Sequence, residues 1–273
     1  MIYERLKLEH GNDSNAYFDI YAYETSVESP YKKRPLLVLF PGGGYEFVSF
    51  REDLPMALQY AAYGYNVISV RYSISPFTYP TQYFQAFEAI KYMIDNADKY
   101  NIDTKKIATV GYSAGGHMAA MVGTGYNDPD ILKEFGVKKD FFKIAGMVLA
   151  YPVITSGEFA HRGSFDNLLG ELKNDKEMLD KVSIEKRVTK DTPKSFIWST
   201  YTDDIVPCEN SLMMANALKE SGVPFELHVF SEGGHGLSFS DERTKDANGG
   251  GMNKTCTAWM ELCHTWLRNN LPL

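Results

Sequence analysis

The chain has 273 residues, and contents of 44% hydrophobic and 23% charged residues place it among globular proteins rather than disordered or fibrous ones. Its 28 basic and 35 acidic side chains leave a formal net charge of −7, which speaks against a nucleic-acid or anionic-membrane surface, because both take a basic face. A chain of this length buries enough surface to fold without metal or disulfide staples.

Taken in chain order, Glu4, Arg5 and Lys7 stand where a signal peptide requires an apolar core. No apolar run approaches the roughly 18 residues of a membrane span, and a cytoplasmic protein is expected. Alternation over Tyr17–Tyr23 predicts a half-exposed strand with Phe18, Ile20 and Ala22 on one face. Short apolar runs then predict buried strands at Leu36–Phe40, Asn66–Val70, Ile107–Gly111, Ile144–Ala150, Ser195–Thr200 and Phe225–Phe230. Helical patterns lie between and after them at Glu52–Tyr63, Thr81–Tyr100, Ala114–Thr124, Asn210–Ser221 and Lys254–Asn269. In the last of these, Cys256, Trp259, Met260, Cys263, Trp266 and Leu267 recur as the stripe of a helix lying on a sheet.

Strand–helix alternation over this length predicts an α/β fold, a mostly parallel central sheet with helices on both faces. No linker divides the chain, so residues 1–273 are expected to form one domain. The polar stretch at about 155–192, with a weak helical pattern over Asn174–Lys181, predicts a small lid insert over the strand ends. Cys208, Cys256 and Cys263 lack any zinc or redox spacing and read as small buried hydrophobes in a reducing compartment.

Ligands of such sheets bind beyond the carboxyl ends of the strands, and four motifs fall there. Gly111-Tyr112-Ser113-Ala114-Gly115 follows a strand and opens a helix. A serine on so sharp a turn needs neighbours without Cβ atoms two residues away on each side. The glycines of Pro41-Gly42-Gly43-Gly44-Tyr45 follow Leu36–Phe40 and suit an oxyanion loop, in which backbone N–H groups face a developing alkoxide. The spacing of a phosphate-binding loop is absent. Thr202-Asp203-Asp204-Ile205-Val206-Pro207 and Gly233-Gly234-His235-Gly236 each follow a later strand. Ser113, then Asp203 or Asp204, then His235 is the chain order of a serine hydrolase triad on an α/β sheet.

With these blocks the chain resembles the α/β-hydrolase esterases of the hormone-sensitive-lipase-like and acetyl-xylan-esterase-like type, often called sugar esterases. The likeness also covers Ser49-Phe50-Arg51-Glu52, Gly64-Tyr65-Asn66-Val67, Arg71-Tyr72-Ser73, Gly116-His117, Asn167-Leu168-Leu169-Gly170, Glu209-Asn210-Ser211-Leu212 and Leu237. The resemblance implies an α/β-hydrolase fold, Ser113 as nucleophile and His235 as base. It implies oxyanion donors at the N–H groups of Gly43, Gly44 and Ala114, and points to Asp203 as the acid, four residues before Pro207. Where the lipase-like relatives carry His before the glycines, this chain has Pro41.

Other candidates read more plainly. His117 lies one turn into the helix and is expected to be packed and hydrogen-bonded. His161, in the insert, is either a substrate contact or a solvated loop residue. Tyr45 either shapes the acyl pocket or simply packs. Arg51 and Glu52 are expected at a helix start, with the carboxylate favoured by the helix dipole. His10, His228 and His264 belong to no constellation, and Lys138-Lys139 reads as a solvated face. No cluster has metal spacing and no cofactor motif is present, so neither is expected.

The leading reading is a serine carboxylic-ester hydrolase working through an acyl-enzyme on a small-molecule ester, a short acetyl-type acyl group on a sugar or other alcohol. A homo-oligomer is compatible with the sequence, and no nucleic-acid or membrane partner is expected. The competing readings are a peptidase of the prolyl-oligopeptidase type and a catalytically silent binding module on the same fold.

Overall fold

Successive residues of Leu36–Phe40 face opposite ways, with Leu36, Val38 and Phe40 in one hydrophobic core and Leu37 and Leu39 in another. A strand covered on both faces needs apolar side chains at every position, which is why this segment reads as an unbroken run. The computed structural model describes residues 1–273. Its strands are β1 (Ile2–Lys7), β2 (Tyr17–Ala22), β3 (Arg34–Phe40), β4 (Asn66–Arg71), β5 (Ile102–Tyr112), β6 (Gly146–Ala150), β7 (Ser195–Thr200) and β8 (Phe225–Phe230). They form one eight-stranded sheet in the order β1-β2-β4-β3-β5-β6-β7-β8. β1 with β2 and β2 with β4 pair antiparallel, and every pairing from β4 across to β8 is parallel. This is the α/β-hydrolase arrangement expected from the sequence.

The helices are α1 (Leu54–Ala62), α2 (Thr81–Asp95), α3 (Ala114–Gly125), α4 (Pro129–Glu134), α5 (Arg162–Leu169), α6 (Lys176–Val182), α7 (Glu209–Glu220) and α8 (Trp259–Asn270). Buried side chains of α1 and α8, including Tyr60, Trp259 and Trp266, pack on one face of the sheet. Those of α2, α3 and α7, including Phe87, Met121 and Met214, pack on the other. No helix is long and apolar enough to cross a membrane.

Several elements differ from expectation. β1 reads as a charged segment because only Ile2 and Leu6 pack against the core, while Tyr3, Arg5 and Lys7 point to solvent. β2 is not half-exposed. Its second face carries Tyr21 into a core and buries Asp19, whose carboxylate accepts from Arg5 Nε at 2.7 Å and Nη2 at 2.9 Å. The insert is more apolar than its sequence suggests. It holds α5 and α6, and Phe165, Leu168, Leu169, Val182 and Ile184 are buried in the larger core.

The site's location follows from topology. β3 and β5 are neighbours, yet the connection after β3 leads to α1 on one face and that after β5 leads to α3 on the other. Loops that part to opposite faces open a crevice at the carboxyl ends of the two strands.

Candidate active site

Ser113 occupies the turn between β5 and α3 with φ 54° and ψ −122°, a conformation that side-chain-bearing residues rarely adopt. Packing on each side excludes any larger neighbour. A Cβ on Gly111 would lie 2.1 Å from the Gly115 carbonyl oxygen, and one on Gly115 would lie 2.0 Å from that of Phe40. The glycine spacing is thus set by the close approach of the elbow to itself and to the end of β3.

The structure brings Ser113, His235 and Asp203 together from the ends of β5, β8 and β7. Ser113 Oγ lies 2.7 Å from His235 Nε2, and His235 Nδ1 lies 2.7 Å from Asp203 Oδ2. The other carboxylate oxygen of Asp203 accepts from the N–H groups of Ile205 at 3.0 Å and Val206 at 2.9 Å, which aims Oδ2 at the imidazole. With Nδ1–H donating to a carboxylate, Nε2 is left to accept from the serine hydroxyl. Asp203 is buried and Asp204 is exposed, so geometry separates the two candidates.

Gly43 and Gly44 carry φ values of 125° and 64°. A Cβ on Gly43 would sit 2.0 Å from the Phe47 carbonyl oxygen, so only glycine fits there. The N–H groups of Gly43, Gly44 and Ala114 bond to no protein acceptor. Gly42 presses on the elbow, and a Cβ there would come within 2.9 Å of Ser113 Cβ.

Three side chains hold the glycine loop. Tyr72 OH donates to the Pro41 carbonyl at 2.6 Å, Gly42 N–H donates to Glu52 Oε2 at 2.9 Å, and Asn167 Nδ2 donates to the Gly44 carbonyl at 2.9 Å. Glu52 is buried in a short 3-10 turn ahead of α1, so its carboxylate serves the loop rather than the helix dipole. Arg51 Nε donates to the Thr244 carbonyl at 2.6 Å.

Of its two readings Tyr45 takes packing, which corrects its place in the substrate pocket. It does not line the cleft but turns inward, fully buried, with its hydroxyl 2.7 Å from His117 Nδ1. Its positive φ of 58° sends the side chain under the loop. His117 Nε2–H donates to the Val182 carbonyl at 2.7 Å, so this histidine joins the glycine loop to the insert. Burial pulls its pKa down to about 4, which keeps it neutral. His117 is thus packed and hydrogen-bonded, as expected.

His161 does reach the cleft, and its Nδ1 lies 2.8 Å from Ser164 Oγ. Burial, and then the nearby His235, lower its pKa. The remaining histidines lie elsewhere: His10 contacts Glu88, His228 contacts Glu226, and His264 stacks on Tyr63. Lys138 and Lys139 are exposed.

The cleft above Ser113 encloses about 560 Å³. His161 and the glycine loop contribute to its wall, and Phe47, Phe50 and Ile205 form an apolar part of it while remaining 57%, 61% and 51% exposed. Such a site gathers a serine hydroxyl, an imidazole, a buried carboxylate and unpaired N–H donors around one small volume, groups of the kind that acyl transfer requires.

Comparison with known proteins agrees with this chemistry. Residues 18–218 match the BD-FAE family model. The acetyl ester-xyloside bifunctional hydrolase of Caldicellulosiruptor lactoaceticus is 33% identical, with 97% of this chain and 96% of that one covered at a TM-score of 0.82. Endo-1,4-beta-xylanase B of Butyrivibrio fibrisolvens is 36% identical over 77% of this chain and 33% of its own length. An acetylxylan esterase of Xylanibacter ruminicola is 28% identical over 74% and 41%. The chain therefore spans about a third to two fifths of these two curated relatives. With the family model matching well over half of its residues, the chain belongs to the BD-FAE family, among the α/β-hydrolase esterases.

Proposed function

We propose that this chain is a serine carboxylic-ester hydrolase that cleaves short, acetyl-type esters of sugars through an acyl-enzyme. The observation that carries the reading is the hydrogen-bonded line from Ser113 Oγ through His235 to Asp203, each link 2.7 Å, beside three N–H groups without acceptors. His235 Nε2 takes the Ser113 proton as Oγ attacks the acyl carbonyl, and Asp203 stabilises the imidazolium. Negative charge gathers on the carbonyl oxygen, where Gly43, Gly44 and Ala114 donate. The imidazolium then protonates the departing alkoxide, leaving the acyl group on Ser113. Water activated by His235 releases the acid by the same steps in reverse.

The sugar alcohol is supported by relatives named as an acetylxylan esterase and an acetyl ester-xyloside hydrolase. A short acyl group is supported by the small apolar wall of Phe47, Phe50 and Ile205, since long acyl chains need a larger apolar surface. A reducing, cytoplasmic setting is supported by Cys208, Cys256 and Cys263, all buried as free thiols.

The test is hydrolysis of a p-nitrophenyl ester series from acetate to octanoate. Preference by kcat/KM for acetate or butyrate supports the reading, and preference for octanoate or longer contradicts the acyl-length part. Cleavage of peptide amides without esters moves the assignment to a peptidase.

A further inference from the structure

We infer that Glu52 is a positioning residue, whose carboxylate locks the oxyanion loop to the loop that carries His235. The inference rests on the esterase reading and adds a residue that the triad logic does not call for. Glu52 Oε2 accepts from Gly42 N–H at 2.9 Å, and Gly42 directly precedes Gly43 and Gly44. Glu52 Oε1 accepts from Tyr151 OH at 2.8 Å. The same hydroxyl accepts from Ser238 N–H at 3.0 Å, three residues beyond His235. One buried carboxylate and one phenol therefore bridge the β3 loop to the β8 loop beneath the reacting atoms.

Three further features fit a bridge rather than an incidental contact. Gly42 admits the carboxylate only because it lacks a side chain, since a Cβ there would lie 2.6 Å from Glu52 Oε2. Tyr151, just past β6, holds φ at 38°, a region disfavoured for a residue with a side chain, and its N–H donates to the Trp198 carbonyl at 2.6 Å. The Tyr151 ring meets the His235 ring edge-on with centroids 5.2 Å apart. Tyr151 thus touches the base through its ring while its hydroxyl spans the two loops.

The consequence is kinetic. Donors aimed at a developing oxyanion, and a base aimed at a serine, lose effect when displaced by a fraction of an ångström. In Glu52→Gln the carboxamide keeps the volume but has one acceptor. Its NH₂ must face either Gly42 N–H, which only donates, or Tyr151 OH, which already accepts from Ser238. One link is lost, and both loops gain freedom.

The test compares Glu52→Gln, Tyr151→Phe and the double variant with the parent, with rates expressed per serine titrated by a phosphonate. The expected result is a fall in kcat of about 10- to 100-fold for Glu52→Gln with KM within about 3-fold, as for an interaction that acts in the transition state. Tyr151→Phe falls by about 10-fold, and the double variant lies within about 3-fold of Glu52→Gln alone, because both cut one bridge. A role in stability only would lower Tm and leave kcat per titrated serine unchanged. That result, or a change confined to KM, overturns the inference. If Glu52→Gln does not fold, Tyr151→Phe decides alone by the same criteria. A parent that takes no phosphonate and cleaves no ester refutes the esterase reading itself, and with it this assignment.

Discussion

Gly115→Ala adds one methyl at the point where the elbow meets the end of β3. That methyl would stand 2.0 Å from the Phe40 carbonyl oxygen and 2.5 Å from that of Pro41, against the roughly 3.3–3.6 Å of a comfortable carbon–oxygen contact. Both atoms belong to the backbone, so no side chain can swing away. The start of α3 and the end of β3 must part by roughly 1.3–1.6 Å to reach that contact distance. Overpacking costs roughly 1–3 kcal/mol, and a clash on two backbone atoms belongs at the upper end. At about 2–4 °C per kcal/mol for a chain of this size, Tm falls by about 6–12 °C. The parting also draws the glycine loop from Ser113, and a misplacement of about 1 Å costs on the order of 100-fold in rate. Gly234→Ala is the control for stability, because nothing lies within 4 Å of its Cβ position. It is expected to change stability by no more than about 0.5 kcal/mol. Circular-dichroism melts and initial rates of acetate ester hydrolysis measure both effects. A Gly115→Ala protein with the parent's Tm and kcat would refute the steric account of the elbow.

Asp203→Asn is expected to lower kcat by on the order of 10⁴-fold, and Asp204→Asn to leave it within about 2-fold; equal losses in steady-state assays would show that the acid is misassigned. His117 has its pKa held at about 4, against an ordinary 6.5, so the unfolded chain binds a proton in that interval that the folded chain does not. Its contribution to stability is therefore lost as pH falls from about 6.5 to about 4, by on the order of 3 kcal/mol. Urea unfolding should show this slope, and His117→Gln should flatten it. Asn167→Ala removes the bond to the Gly44 carbonyl and should lower kcat by about 5-fold, the worth of about one hydrogen bond, with KM little changed in the same ester assay.

Most of the sheet is legible in sequence because strands buried on both faces announce themselves as apolar runs, and β7 and β8 match their expected limits at both ends. Ser113, His235 and the glycines are legible for a related reason. Their chemistry depends on local backbone geometry, which short spacing encodes. What stayed hidden depends on partners distant in the chain. Glu52 reads as a helix-start carboxylate until Tyr151 is brought to it, and the residues alone leave Asp203 and Asp204 open, with only the resemblance favouring Asp203 before its burial against His235 is seen. Tyr45 follows the glycines directly, yet its positive φ turns it away from the cleft, and neighbours in sequence do not reveal that rotation. The strand β1 does not show in the sequence because an edge strand with one packed face alternates too weakly among charges to stand out. The insert reads as polar, since its few apolar residues are spaced for packing on the core rather than for a run.

The central claim is that Ser113 is the acyl-accepting nucleophile. The most direct measurement is intact and peptide mass spectrometry after brief exposure to a fluorophosphonate. One adduct per chain on the peptide containing Ser113, absent from Ser113→Ala and lost together with ester hydrolysis, is the predicted result. An adduct on another residue, or full hydrolysis by Ser113→Ala, would contradict it.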